Sequence, residues 1–221
     1  MRSDPRRVGR PKAKEVAVPA PDRIVQAAAR LFLELGFDGV TTEAVAAASG
    51  VTKAMVYYYY GSKTNLFTAA IEWMMDVSRQ QTQEILSRPV PLRDRLQIIA
   101  LTRLRITAPL DLDAMMRGSR QVLTEEQLAR IRHAEEQMVS VIAQAFQAGV
   151  AAGEVREIDA QLAARVFLAM LMVGKAELNE GRLTADRLED RCREWLSIFW
   201  SGVAAPASAP AAPVKHSDRE G

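Results

Sequence analysis

Apolar residues recur at three- and four-residue steps along most of this 221-residue chain, which is the period of an amphipathic helix. The first run opens at Pro21-Asp22, with Asp22 as its expected cap. It puts Ile24, Ala28, Leu31, Phe32 and Leu35 on one buried face and stops at Gly36. Two shorter runs follow in the stretch TTEAVAAASGVTKAMVYYYYGSK, residues 41–63. Thr41 and Thr42 are placed to cap the first of them, because a hydroxyl accepts a hydrogen bond from a free N–H of the opening turn. Ala44, Val45, Ala47 and Ala48 give it a small apolar face, and Ser49-Gly50 ends it, since glycine takes the positive φ a helix stop often needs. Val51 points back to the core, Thr52 caps again, and residues 53–60 form the second run, with Val56 and Tyr60 inward. Two short helices joined by a tight glycine turn are the pattern of a helix-turn-helix.

Ser62 then caps a long helix expected over 63–86, with Leu66, Phe67, Ala70, Ile71, Met74 and Met75 inside and a polar stretch after Asp76. Pro89 and Pro91 break it. A fifth helix is expected over 92–107, with Leu96, Ile99, Leu101, Leu104 and Ile106, ended by Pro109. A short sixth is expected over 113–123, with Met115, Met116 and Val122. Thr124-Glu125-Glu126-Gln127 has the form of a capping box and opens a helix to about 152, with Leu128, Ile131, Met138, Ile142, Ala145 and Phe146 on one side before Gly153. The eighth, over 159–180, is apolar all round from Val166 to Gly174, so it must be buried on both sides. The ninth, over 184–201, carries a wide stripe of Leu188, Cys192, Trp195, Leu196 and Phe199, with Ile198 and Trp200 off it. So much apolar surface on the last two helices suggests a partner surface.

Composition agrees with an all-α fold. Hydrophobic residues make up 48% and aromatics only 6%, so the core is built of Ala, Leu, Val, Ile and Met, which favour helices over sheets. The net charge of +2 is too small for a whole-surface polyanion binder, but residues 1–20 carry six cations against two anions, a local +4. We read 1–20 as an unstructured basic arm, within which Arg10 stands in Val8-Gly9-Arg10-Pro11-Lys12, a stretch similar to the Gly-Arg-Pro core of AT-hook peptides. An extended arginine fits the narrow minor groove of A·T tracts. Residues 203–221 turn to Ala, Pro and Ser and read as an unstructured tail. One cysteine, Cys192, excludes an intramolecular disulfide and a thiolate metal cluster. No signal peptide or apolar run of transmembrane length is read, so the expectation is a soluble cytoplasmic protein.

The chemistry of residues 41–63 favours double-stranded DNA. A recognition helix presents its N-terminal residues to base edges, so it needs short side chains and a donor for guanine; Thr52, Lys53 and Ala54 supply both, with Tyr57 a turn further on. Thr41, Thr42, Tyr58, Tyr59 and Lys63 are the candidates for phosphate contacts, Lys63 at a helix start facing an anion. With the preceding helix, RIVQAAARLFLELGFDGVTTEAVAAASGVTKAMVYYYYGSKTNLF resembles the DNA-binding domain of the TetR family of transcriptional regulators over residues 18–78. The resemblance rests on Leu-Gly-Phe, the Thr-Thr cap, Ala-Ser-Gly-Val, the Val-Tyr-Tyr-Tyr-Tyr run and Gly-Ser-Lys. Tyr58 or Tyr59 stands where many members have His, Tyr60 where Phe is usual, and Gly61 where Pro is common.

The resemblance implies a three-helix helix-turn-helix domain (18–78, motif 41–60) followed by a larger helical domain for effector binding and dimerisation (79–202). It also implies a homodimer through the last two long helices, and a small-molecule effector held between helices. Met115, Met138 and Met170 suit an adaptable pocket, as do Met116 and Met172. Arg103 and Glu177, then Arg105, His133 and Asn179, are the polar candidates. The function expected is a ligand-responsive regulator, a repressor, that leaves a pseudo-palindromic operator when the effector binds. The other open reading is a helical small-molecule binder or enzyme whose helix-turn-helix is only scaffold. Nothing supports catalysis: His133 and His216 form no constellation, no nucleophile, phosphate or dinucleotide motif is present, and no cofactor or metal is expected.

Overall fold

The computed structural model describes residues 18–105, 115–116 and 118–206, and eight helices run through them. The ends of several were set locally, by caps. The first helix, α1 (Ala20–Gly39), begins earlier than its sequence suggests: Pro19 is the cap position, and Asp22 lies inside the first turn without a capping bond. There its charge still complements the helix dipole. Gly36, at φ 68°, breaks the helix as expected, and a last turn follows. That break lets Phe37 swing inward, where it stacks on Phe32 and meets Phe67 edge-on with centroids 5.0 Å apart. Leu35 does not join this face and is 54% exposed.

In α2 (Thr42–Ser49), Thr41 Oγ1 accepts from Ala44 N at 3.1 Å. The buried face is Thr42, Val45, Ala46 and Ser49, a clean helical stripe; Ala47 and Ala48 face solvent, contrary to the expected face. Gly50, at φ 67°, makes the turn. Thr52 caps α3 (Lys53–Tyr60), of which Val56 alone is fully buried. Tyr60 is half-buried, and its hydroxyl donates to Pro21 O at 2.9 Å, tying α3 to the start of α1. Ser62 accepts from Asn65 N and caps α4 (Lys63–Leu86).

From α4 onward the chain serves two cores. Leu66, Phe67, Ala70, Ile71 and Met74 pack with α1–α3, whereas Ile85, beyond the polar stretch, belongs to the second core. That second core holds α5 (Leu92–Arg105), most of α6 (Glu125–Ala151), α7 (Ala160–Asn179) and α8 (Leu188–Val203). The fifth helix is described to Arg105; Ile106, Thr107 and the stop at Pro109 lie outside the described residues. The helix expected over 113–123 is not continuous: Gly118, at φ 80°, begins a turn, and Val122 is 53% exposed. Met115, Met116 and Leu123 are buried, but in the first core.

The capping box forms in full, with Thr124 N donating to Gln127 Oε1 and Gln127 N to Thr124 Oγ1. Gln127 also reaches across to Asn65 Oδ1 at 2.6 Å. Asp159 caps α7. The last helix starts four residues later than its apolar period suggests, because 185–187 form a turn. The expected tail is anchored at its root. Val155 and Ala204 form an antiparallel bridge, and Ala205 N donates to Glu154 O at 3.1 Å; residues 207–221 lie outside the described residues.

Candidate nucleic-acid interface and effector site

Burying only Val56 leaves α3 with an open outer face. Lys53, Ala54, Tyr57, Tyr58 and Tyr59 are all exposed on it, Tyr58 to 82%. The structure links Thr42, Lys53 and Tyr57 into one polar cluster and adds a member that sequence reasoning missed, Glu43. Lys53 Nζ forms an ion pair with the Glu43 carboxylate and stands 5.7 Å from the centre of the Tyr57 ring. Thr42 Oγ1 donates to Glu43 Oε2 at 3.2 Å and lies 3.4 Å from Tyr57 OH. The hydrogen bond to Lys53 holds Glu43 below its ordinary carboxylate value, and the same bond raises Lys53 above the usual lysine range. No local pattern marks Glu43, since its partner lies on another helix.

The other candidates divide. Thr41 and Thr52 face solvent beside the turn, but each hydroxyl is engaged as a cap. Tyr58 and Tyr59 meet edge-on, with centroids 5.0 Å apart, and reach out from the surface. Lys63 is not held out as a free cation at its helix start: Nζ sits 4.5 Å above the Phe37 ring. Arg10 lies outside the described residues.

The expected effector residues are not gathered round one chamber. Met115 is 2% exposed in the first core, next to Met116, so it is no wall of the second. Met138 is buried in the second core and Met170 packs partly against it, while Met172 is 63% exposed. Glu177 is half-buried and Asn179 exposed at the end of α7; Arg105 pairs with Glu189, and His133 faces solvent beside Gln137. Arg103 and Met138 do meet, with Nη2 at 3.1 Å from Sδ. A groove of about 240 Å³ between α4 and α6 and another of about 580 Å³ between the recognition helix and the start of α6 lie elsewhere and touch none of the five first-choice candidates.

Cys192 is 1% exposed, and burial pushes its thiol up to about 11, which suits a packing residue and not a nucleophile. Among the described residues no group of three His, Cys, Asp or Glu side chains is placed to hold a metal ion, and no helix is long and apolar enough to cross a membrane.

Two family models match the chain. Residues 24–70 match the bacterial regulatory proteins of the tetR family, and residues 90–176 match the tetracycline repressor-like C-terminal domain. The HTH-type transcriptional regulator YhgD of Bacillus subtilis is 22% identical over 147 residues, 66% of this chain and 76% of YhgD. Among solved structures, the reduced form of Escherichia coli NemR superposes with a TM-score of 0.73 at 18% identity, over 86% of this chain and 100% of NemR. The regulator FadR of Bacillus subtilis, in complex with stearoyl-CoA, superposes with a TM-score of 0.65 at 16% identity, over 82% of this chain and 98% of FadR. These likenesses establish the fold. Together with the two family matches and the open recognition helix, they make this chain a member of the TetR family, a transcriptional regulator with a helix-turn-helix DNA-binding domain and a ligand-binding domain.

Proposed function

We propose that the protein is a repressor that binds a pseudo-palindromic operator as a homodimer and leaves it when a small-molecule effector binds. The observation that carries this reading is a second open face. On α7, Leu162 (59%), Val166 (47%) and Val173 (55%) are exposed along one stripe, with Ile198 of α8 at 74%. The sequence reads this stretch as buried on both sides, and a second copy of the chain covers the side left open. Dimers of this kind place two recognition helices on half-sites about one turn of DNA apart. On each helix Lys53, Ala54 and Tyr57 address bases, and Thr42, Tyr58 and Tyr59 address the backbone.

The cations of residues 41–63 are only Lys53 and Lys63, against Glu43. Most of the phosphate attraction therefore falls to the basic arm, with Arg10 in an adjacent minor groove. Such a protein works in the bacterial cytoplasm. FadR, with stearoyl-CoA bound, supports a second domain able to take an acyl-bearing ligand. Selection of the full-length protein against random duplex DNA should enrich a palindrome, with affinity falling steeply as salt rises. A folded dimer that enriches no sequence in the absence of ligand overturns the repressor reading.

A further inference from the structure

Arg103 projects from α5 between α4 and α6. Its Nη2 donates to Ser78 Oγ at 2.7 Å and touches Met138 Sδ, while Nε is shut off from solvent with no acceptor. Arg79 and Arg95 also have an enclosed, unbonded Nε, but each faces a carboxylate, Asp76 and Glu154 respectively. Among the described residues Arg103 has only a hydroxyl and a thioether, and neither brings negative charge. Burial alone pulls its pKa down to about 10, so it remains a cation at neutral pH, in a place where an uncompensated charge is costly. A leucine or methionine would fill the same space without that cost. A planar guanidinium is suited to pair side-on with an acid group, and Met138 beside it is an adaptable apolar surface.

We propose that Arg103 is the anchor for the acid group of the effector, an amphipathic anion whose carboxylate or phosphate pairs with the guanidinium and whose apolar body lies against Met138. This rests on the effector-released reading above and narrows it to a chemical class. It also supplies a route to the DNA. Ser78 is on α4, the helix that leaves the recognition helix through Gly61-Ser62. An acid that takes Nη2 removes the bond to Ser78 and with it a tie between α5 and α4.

The test uses full-length protein, dodecanoate, dodecyl phosphate and dodecan-1-ol, all below their aggregation limits. Thermal shift reads binding, and release of a fluorescent operator duplex reads regulation. At least one acid is expected to raise Tm by several degrees and to release the operator at roughly tenfold lower concentration than the alcohol; which acid acts separates carboxylate from phosphate. Arg103→Gln, which also loosens the tie to Ser78, is expected to bind the operator more weakly than native protein and to lose the difference between acid and alcohol, and Arg103→Lys to keep part of it. Arg103→Met, which removes the charge and fills the space, replaces the glutamine variant if that one fails to fold. Equal action of acid and alcohol, no action by either acid, or an unchanged acid response in the charge-free variant overturns the proposal. Failure of the native protein to bind any operator sinks the repressor reading instead, and the thermal-shift arm still decides whether Arg103 holds an acid.

Discussion

Glu43 and Lys53 face each other across the helix-turn-helix on the surface proposed to meet DNA. A carboxylate there opposes the general attraction between protein and duplex, and it holds the ammonium of the recognition helix to one position. Both effects favour discrimination over raw affinity. For Glu43→Gln we expect unchanged thermal stability, tighter binding to random duplex, a smaller ratio of operator to random affinity, and a log–log salt slope steeper by about 0.9 as Lys53 becomes free for a phosphate. Fluorescence anisotropy at several salt concentrations measures all of these; an unchanged ratio and slope reduce the ion pair to decoration. This pair was not legible in the sequence. Periodicity says which face of a helix is buried, but not which side chains meet across a turn. The same limit explains the misplaced face of α2: alanine is indifferent to burial, so Val45 alone carried the period, and Ala46 with Ser49 lies inside where Ala47 and Ala48 were expected. The contact of Lys63 with Phe37 was hidden for a related reason, since the ring beneath it lies on another helix.

Elements were far more legible where their ends are decided by neighbours in sequence. Thr41, Thr52, Ser62 and Thr124 with Gln127 cap as their residue types predict, whereas Asp22 makes no capping bond. Gly118 interrupts an expected helix with φ at 80°, close to the Asp38 carboxylate of α1. Gly174 shows the same kind of constraint inside a helix. A Cβ there would stand 2.6 Å from the Trp195 ring of α8 and 3.2 Å from Leu104 of α5, so its lack of side chain is what lets three helices close. Gly174→Ala is expected to cost about 1–3 kcal/mol by overpacking, lowering Tm by roughly 2–4 °C per kcal/mol in a chain of this size. Thermal unfolding of the variant checks this, and a Tm equal to native or higher shows that Trp195 moves aside freely.

For the whole molecule, two layers of organisation were legible, a helix-turn-helix head and a larger helical body, because each has its own periodic faces. The apolar surface of the last two helices pointed to a partner, but not to which side of α7 stays open within the chain, since an apolar helix reads alike whichever neighbour covers it. Val173→Glu places a carboxylate in the open stripe, where pairing would have to desolvate it. Sedimentation should find this variant monomeric and still folded, with operator affinity reduced to that of a single half-site. A dimer that persists moves the contact to another face.

The helix α6 enters both cores: Ile131 packs with the head, and Met138, Ile142 and Phe146 pack with the body. The head also borrows Met115, Met116 and Leu123 from beyond its own helices. A protease that cut between α4 and α5 would therefore not liberate a working DNA-binding module, because the fragment would leave behind part of what fills its interior. Head and body share packing through α6, so the two are expected to melt as one unit, in a single thermal transition.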